Sequence, residues 1–134
     1  MAEAVYEFEK VVSSAFWELN ADYLEYQAGE QVRSQLEPEI EALRAQNQYL
    51  GRQLVNRDYR SFDRQSEALA VVVVRETWQD WLYDIVDYPG DFMSDPVAQR
   101  GPYTLDVTYT LEESDGRWQI TAAVYANQPP PWES

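Results

Sequence analysis

Gly101-Pro102-Tyr103-Thr104-Leu105-Asp106-Val107-Thr108-Tyr109-Thr110-Leu111 alternates apolar and polar residues without a miss, turns at Asp115-Gly116 and resumes alternation from Trp118. Period-two alternation puts Tyr103, Leu105, Val107, Tyr109 and Leu111 on one sheet face and Thr104, Asp106, Thr108, Thr110 and Glu112 on the other. The stretch predicts a half-buried antiparallel hairpin, with long strands over 103–111 and 118–126. Upstream, 49–62 is rich in β-formers, and 67 to about 83 contains Leu69-Ala-Val-Val-Val-Val74, apolar on both faces. A central strand reads this way when helices cover one side and a partner subunit, the C-terminal tail or a folded-over sheet covers the other. Between these strands, 87–102 holds Tyr88-Pro-Gly-Asp91 and Ser94-Asp-Pro96, turn chemistry that predicts a loop long enough to act as a lid or recognition loop. Residues 127–134, Asn-Gln-Pro-Pro-Pro-Trp-Glu-Ser, predict an extended, proline-stiffened tail.

The first 47 residues carry a different period. Val5, Phe8, Val12, Ala15, Phe16 and Leu19 recur at three- and four-residue steps, opposite Glu3, Glu7, Glu9 and Lys10, which predicts an amphipathic helix over 2–19. Asn20-Ala-Asp22 offers capping residues, after which Leu24, Val32, Leu36, Ile40 and Leu43 mark a second stripe. Pro38 removes a backbone donor inside it, so two pieces jointed at Glu37-Pro38, or one kinked helix, are expected. Helices first and an antiparallel sheet afterwards is an α+β arrangement. The expected organisation is a single domain over 1–134: a helical half at 1–47, a sheet at 48–126 and the tail at 127–134.

Composition narrows the chemistry. The 134 residues include no cysteine and no histidine, which removes thiolate chemistry, the commonest general base near neutral pH and the commonest transition-metal ligand. With 24 acidic against 10 basic residues, the net charge of −14 repels a phosphate backbone and an anionic membrane surface, so nucleic acid is not an expected partner. No apolar run reaches the ~18 residues of a membrane span, and the acidic start does not resemble a signal peptide. A soluble segment is expected, either cytoplasmic or an excised extracytoplasmic domain of a bacterial protein.

Three groups of residues invite a functional reading. Trp78, Trp81, Tyr83, Tyr103, Tyr109 and Trp118 load the sheet with aromatics, as core packing or as the wall of a concave pocket. Trp78 and Trp81 have opposite parity in a regular strand, so both line one pocket only if a bulge intervenes. Arg52, Arg60 and Arg64 share parity, with Arg57 nearby, either pairing across strands with the acids or forming a carboxylate clamp. Asp80, Asp84, Asp87, Asp91 and Asp95 lack the spacing of a calcium loop, and no metal or cofactor is expected. The candidate ligand- or peptide-binding set is Trp78, Tyr83, Tyr103, Tyr109 and Arg60, with no catalytic residue assigned.

This order of elements resembles the nuclear transport factor 2-like cone fold, in which N-terminal helices sit against a strongly bent antiparallel sheet. Within that superfamily, Tyr103-x-x-x-Val107-x-Tyr109-x-Leu111 followed by Gly116-x-Trp118-x-Ile120, and the earlier Glu76-Thr77-Trp78-x-x-x-Leu82-Tyr83, are similar to the intermembrane-space-type domain of chloroplast and cyanobacterial division proteins. The resemblance implies a non-catalytic module that captures a partner's terminal segment; no functional residue transfers by motif. Related cone folds include dehydratases and isomerases with His–Asp or Tyr–Asp pockets, of which the absent histidine leaves only the second. The expected function is an accessory module that holds a protein, a peptide or a small apolar ligand, without membrane insertion of its own and with a homodimer through the sheet left open. The alternative is a small lyase or isomerase with a Tyr–carboxylate pocket.

Overall fold

In the computed structural model, which describes residues 2–25, 27–85 and 95–133, the alternating stretch forms the inner row of a hairpin. β3 (Ala98–Ser114) and β4 (Arg117–Tyr125) are joined through Asp115 and Gly116. Their φ values of 54° and 77° are the left-handed pair that a type I′ turn demands. Tyr103, Leu105, Val107, Tyr109 and Leu111 are buried. With β1 (Gln48–Arg64) and β2 (Leu69–Asp84), the hairpin completes a four-stranded antiparallel sheet in the order β1-β2-β3-β4. α1 (Ala2–Glu18) and α2 (Glu30–Ala45) pack on one face of this curled sheet. There Val5, Phe8, Val12, Phe16, Val32 and Ile40 join Val72, Val74, Val107, Leu111 and Ile120 in one core. The α+β class read from the sequence is the observed one.

The break between the helices is not at Glu37-Pro38. α2 runs unbroken through Pro38. Both Pro38 and Ser34, whose carbonyl the proline leaves without its helical donor, are exposed, so water replaces the lost bond. The interruption falls upstream, where Gly29 N–H donates to the Ile120 carbonyl at 2.8 Å and Ile120 N–H donates to that of Gln27 at 2.9 Å. Lacing the connector to β4 fixes the turn there.

Four irregularities bend the sheet. Val55 and Arg60 have no partner in the β1–β2 ladder. Gly101 and Pro102 together face only Gln79 of β2, and Thr121 is the extra residue in β4. Each bulge raises the local twist and re-aims the side chains beyond it. Gly101 has φ +110°, and a Cβ there would lie 2.6 Å from the Trp78 carbonyl oxygen. Because the bulge absorbs Gly101-Pro102 into the sheet, β3 starts at Ala98 rather than after Pro102. The rest of the expected 87–102 loop lies largely outside the described residues.

The tail does not cover the outer row Leu69, Val71 and Val73, which stays half-buried. It continues β4 along the outer edge of β3 instead. Val107 faces Tyr125 and, equally far along both segments, Gln99 faces Glu133, with mutual backbone hydrogen bonds of 2.7 and 2.8 Å. The Trp132 ring lies 4.1 Å from the Arg100 guanidinium, a cation–π contact that pins the segment down.

Candidate functional site: a charged inner frame and an aromatic cleft

The inner row of β2 is apolar in its first half, with Ala70, Val72 and Val74, and then carries Glu76, Trp78 and Asp80. Both carboxylates are almost completely buried, Glu76 at 1% and Asp80 at 0% exposure, and both are fully partnered. Arg52 Nε lies 3.2 Å from Asp80 Oδ1, Arg100 Nε lies 2.7 Å from Oδ2, and the Tyr103 hydroxyl donates to Oδ2 as well. Glu76 accepts from Trp78 Nε1 at 3.1 Å and from the Tyr109 hydroxyl at 2.9 Å, with Arg57 Nε 3.7 Å away. The bulge at Val55 makes this arrangement possible: by flipping parity it sends Arg57 to the same face as Arg52. The stripe of Arg52, Arg60 and Arg64 read from parity is broken at Arg60, the unpaired residue of the second bulge, beyond which Arg64 returns to the Arg52 side opposite Ala70.

The phenols act as hydrogen-bond donors here, Tyr103 to Asp80 and Tyr109 to Glu76. Burial, joined by the neighbouring Glu76 charge, pushes Tyr109 well above the usual phenol range. Burial also raises Tyr103, Arg52 opposing and the hydrogen bond to Asp80 adding to it. Burial works against the Arg52 charge, but Asp80 and then Tyr103 outweigh it and hold the guanidinium protonated. Between this frame and the helices remains a void of about 20 Å³, bordered by Phe8, Glu9, Arg52, Glu76, Trp78 and Tyr109 among others. Such a space holds about one water molecule.

The open space lies elsewhere. A cleft of about 400 Å³ is lined by Ser13, Ser14, Trp17 and Glu18 of α1, Gly51 and Arg52 of β1, and Trp81 and Tyr83 of β2. Trp17 is 51% exposed and stands edge-on to Tyr49 and Tyr83, at centroid distances of 5.0 and 5.8 Å. Those two tyrosines stack on each other at 5.0 Å. Glycine at position 51 permits the cluster, since a Cβ there would come within 3.2 Å of the Tyr83 ring and 3.3 Å of the Trp17 ring. An isolated strand glycine often marks such a close approach.

Of the residues singled out from the sequence, Tyr83 lines the cleft. Trp78, Tyr103 and Tyr109 belong to the buried frame. Arg60 sits at its bulge in β1, half-exposed and 3.5 Å from Asp58, away from both. Trp81 lines the cleft, whereas Trp78 borders the interior void and belongs to the frame. Sequence reading missed Trp17 and Gly51; pairing of the β1 arginines with acids across strands was one of its two readings, and Arg52–Asp80 and Arg57–Glu76 supply the partners it left unnamed. The parity of Ala70, Val72, Val74, Glu76, Trp78 and Asp80 was the available signal for the buried acids, and Gly51 inside a strand pattern was the signal for the cleft.

No family model and no curated protein sequence matches this chain. Among solved structures, the intermembrane space region of the chloroplast protein ARC6 superposes with a TM-score of 0.72 at 18% identity, covering 92% of this chain and 91% of that one. The fold is NTF2-like. Lower similarity is found to an NTF2-like protein involved in plasmid conjugation, with a TM-score of 0.49, 11% identity and coverage of 93% of this chain and 47% of that one. An NTF2-like protein of unknown function from Shewanella oneidensis MR-1 gives a TM-score of 0.44, 18% identity and coverage of 91% and 95%. At these identities the likeness establishes the NTF2-like architecture alone. Among the described residues no helix is long and apolar enough to cross a membrane, and no group of His, Cys, Asp and Glu stands ready to hold a metal ion.

Proposed function

We propose that this chain is a non-catalytic binding module that holds an extended peptide segment or a small apolar ligand in the cleft between α1 and the β1–β2 end of the sheet. The observation that carries this reading is the contrast between a cone interior with about 20 Å³ to spare and an open cleft of about 400 Å³ walled by aromatic rings. Aromatic side chains in a partly desolvated groove are favoured binding anchors. The Tyr–carboxylate pairs invite the lyase or isomerase alternative, but each carboxylate is taken up by arginine and ring donors, and among the described residues the space beside Glu76 is the void of about 20 Å³. Service as an accessory domain of a larger protein, and pairing of two copies through the half-buried outer row of the sheet, extend the same proposal. A fragment library screened by NMR against the isotopically labelled chain tests it. Hits are expected to shift the Gly51 amide and the Trp17 and Trp81 indole N–H signals; hits that instead perturb Glu76 and Tyr109 would favour the enzyme.

A further inference from the structure

The aromatic cleft carries an acid that makes no ion pair among the described residues. Glu18, at the end of α1, lines it together with Trp17, Trp81 and Tyr83. The Tyr23 hydroxyl donates to Glu18 Oε2, which orders the carboxylate, and Oε1 has no protein partner among the described residues. α1 has no basic residue in its last turn, so the negative end of the helix dipole adds to the Glu18 charge. Arg44 of α2 reaches the Leu19 carbonyl just beyond, but divides its charge with Glu41. The one cation among the lining residues, Arg52, is already matched: it pairs with Asp80, and its guanidinium lies 4.4 Å from the Trp78 ring of the buried frame.

These features select a cation. The net charge of −14 draws a positive group toward the chain and repels an anion. The Trp17 and Tyr83 rings stand at 82° to each other, two walls of a corner, and aromatic walls attract cations through the negative faces of the rings. A guanidinium suits them better than an ammonium, being planar, weakly hydrated and able to stack on a ring while its edge meets a carboxylate. The protein uses the same pairing within itself, where Arg100 lies 4.1 Å from the Trp132 ring. A space of about 400 Å³ falls within the range of ligand pockets and leaves room for main chain beside one long side chain. We infer that the cleft receives an arginine side chain of an extended basic peptide, its guanidinium against the Trp17 and Tyr83 rings and paired with Glu18. This inference rests on the cleft being the binding site.

A glycine-arginine-glycine peptide capped at both ends and its citrulline counterpart, which keeps the shape and loses the charge, serve as probes. Both are titrated into the full chain, with calorimetry and the Gly51 amide and Trp17 indole N–H signals as readouts. The arginine peptide is expected to bind about threefold to thirtyfold more tightly than the citrulline peptide, the span of a cation–π contact from exposed to desolvated. Glu18→Gln keeps an acceptor for Tyr23 and is expected to weaken the arginine peptide by about twofold to fivefold while leaving the citrulline peptide unchanged. Equal affinities for the two peptides would overturn cation recognition and leave the cleft standing as an apolar binding site. Absence of Gly51 and Trp17 shifts with these peptides and with the fragment library alike would overturn the cleft itself. Choline binding more tightly than the arginine peptide would overturn the peptide assignment in favour of a small organic cation. An arginine advantage undiminished in Glu18→Gln would overturn the role of Glu18.

Discussion

The two halves of β2 share one strand and one inner row yet do opposite things. Ala70, Val72 and Val74 meet Leu111, Tyr109 and Val107 across the β3 ladder, an apolar seam whose stability comes from area removed from water. Glu76, Trp78 and Asp80 continue the same row, and there three arginines converge on the two carboxylates. Buried ion pairs gain little over an apolar core of the same shape, but they are costly to break singly. The apolar half therefore sets how stable the cone is. The charged half sets a geometry, fixing Arg52 at the base of the cleft.

Substitutions that treat the two halves differently sharpen this contrast. Asp80→Ala strands Arg52 and Arg100 and is expected to cost about 3 to 5 kcal/mol in denaturant unfolding. Val72→Ala in the apolar half is expected to cost about 2 kcal/mol, from lost transfer free energy plus a residual cavity. If the two losses are equal, the charged half is no more than core. Gly101→Ala is expected to cost about 1 to 3 kcal/mol, because φ +110° and the Trp78 carbonyl both oppose a side chain there; an unchanged melting temperature would mean that the bulge is not obligatory. Trp17→Ala is expected to change stability by less than about 1 kcal/mol, as for a half-exposed residue, yet to abolish fragment shifts at Gly51.

The smallest expected effect lies at Glu9, which faces Arg57 and Glu76 from α1. Burial leads in raising its pKa above 4.5, with Arg57 pulling the other way. A carboxyl raised in the folded state contributes stability that is fully present below its unfolded value and lost as pH rises through the folded one. Glu9→Gln is therefore expected to stabilise the chain at pH 7 by no more than about 0.5 kcal/mol and to bring no gain at pH 3.5. A gain of the same size at both pH values would rule out the ionisation as its source.

Alternation and the Asp-Gly turn made the β3–β4 hairpin legible in advance, as the three- and four-residue steps did for α1. Pro38 misled, because the penalty of a helical proline is small when the carbonyl it frees faces water. The arginines of β1 misled for a different reason: parity is a local rule, and one extra residue at Val55 reverses it until the second bulge at Arg60 restores it.

By itself the sequence determined which faces are buried, since period and apolarity are properties of neighbouring residues. The α+β class follows from their order along the chain. Only the tertiary structure decided that Arg52 meets Asp80 and Arg100, that Arg57 meets Glu76 across a bulge, and that Trp17 of a helix lies on Gly51 of a strand. Those contacts depend on strand register and on helix placement, which are set by packing between residues far apart in the chain. The filled interior and the open cleft are consequences of that packing, and so is the binding reading that rests on them.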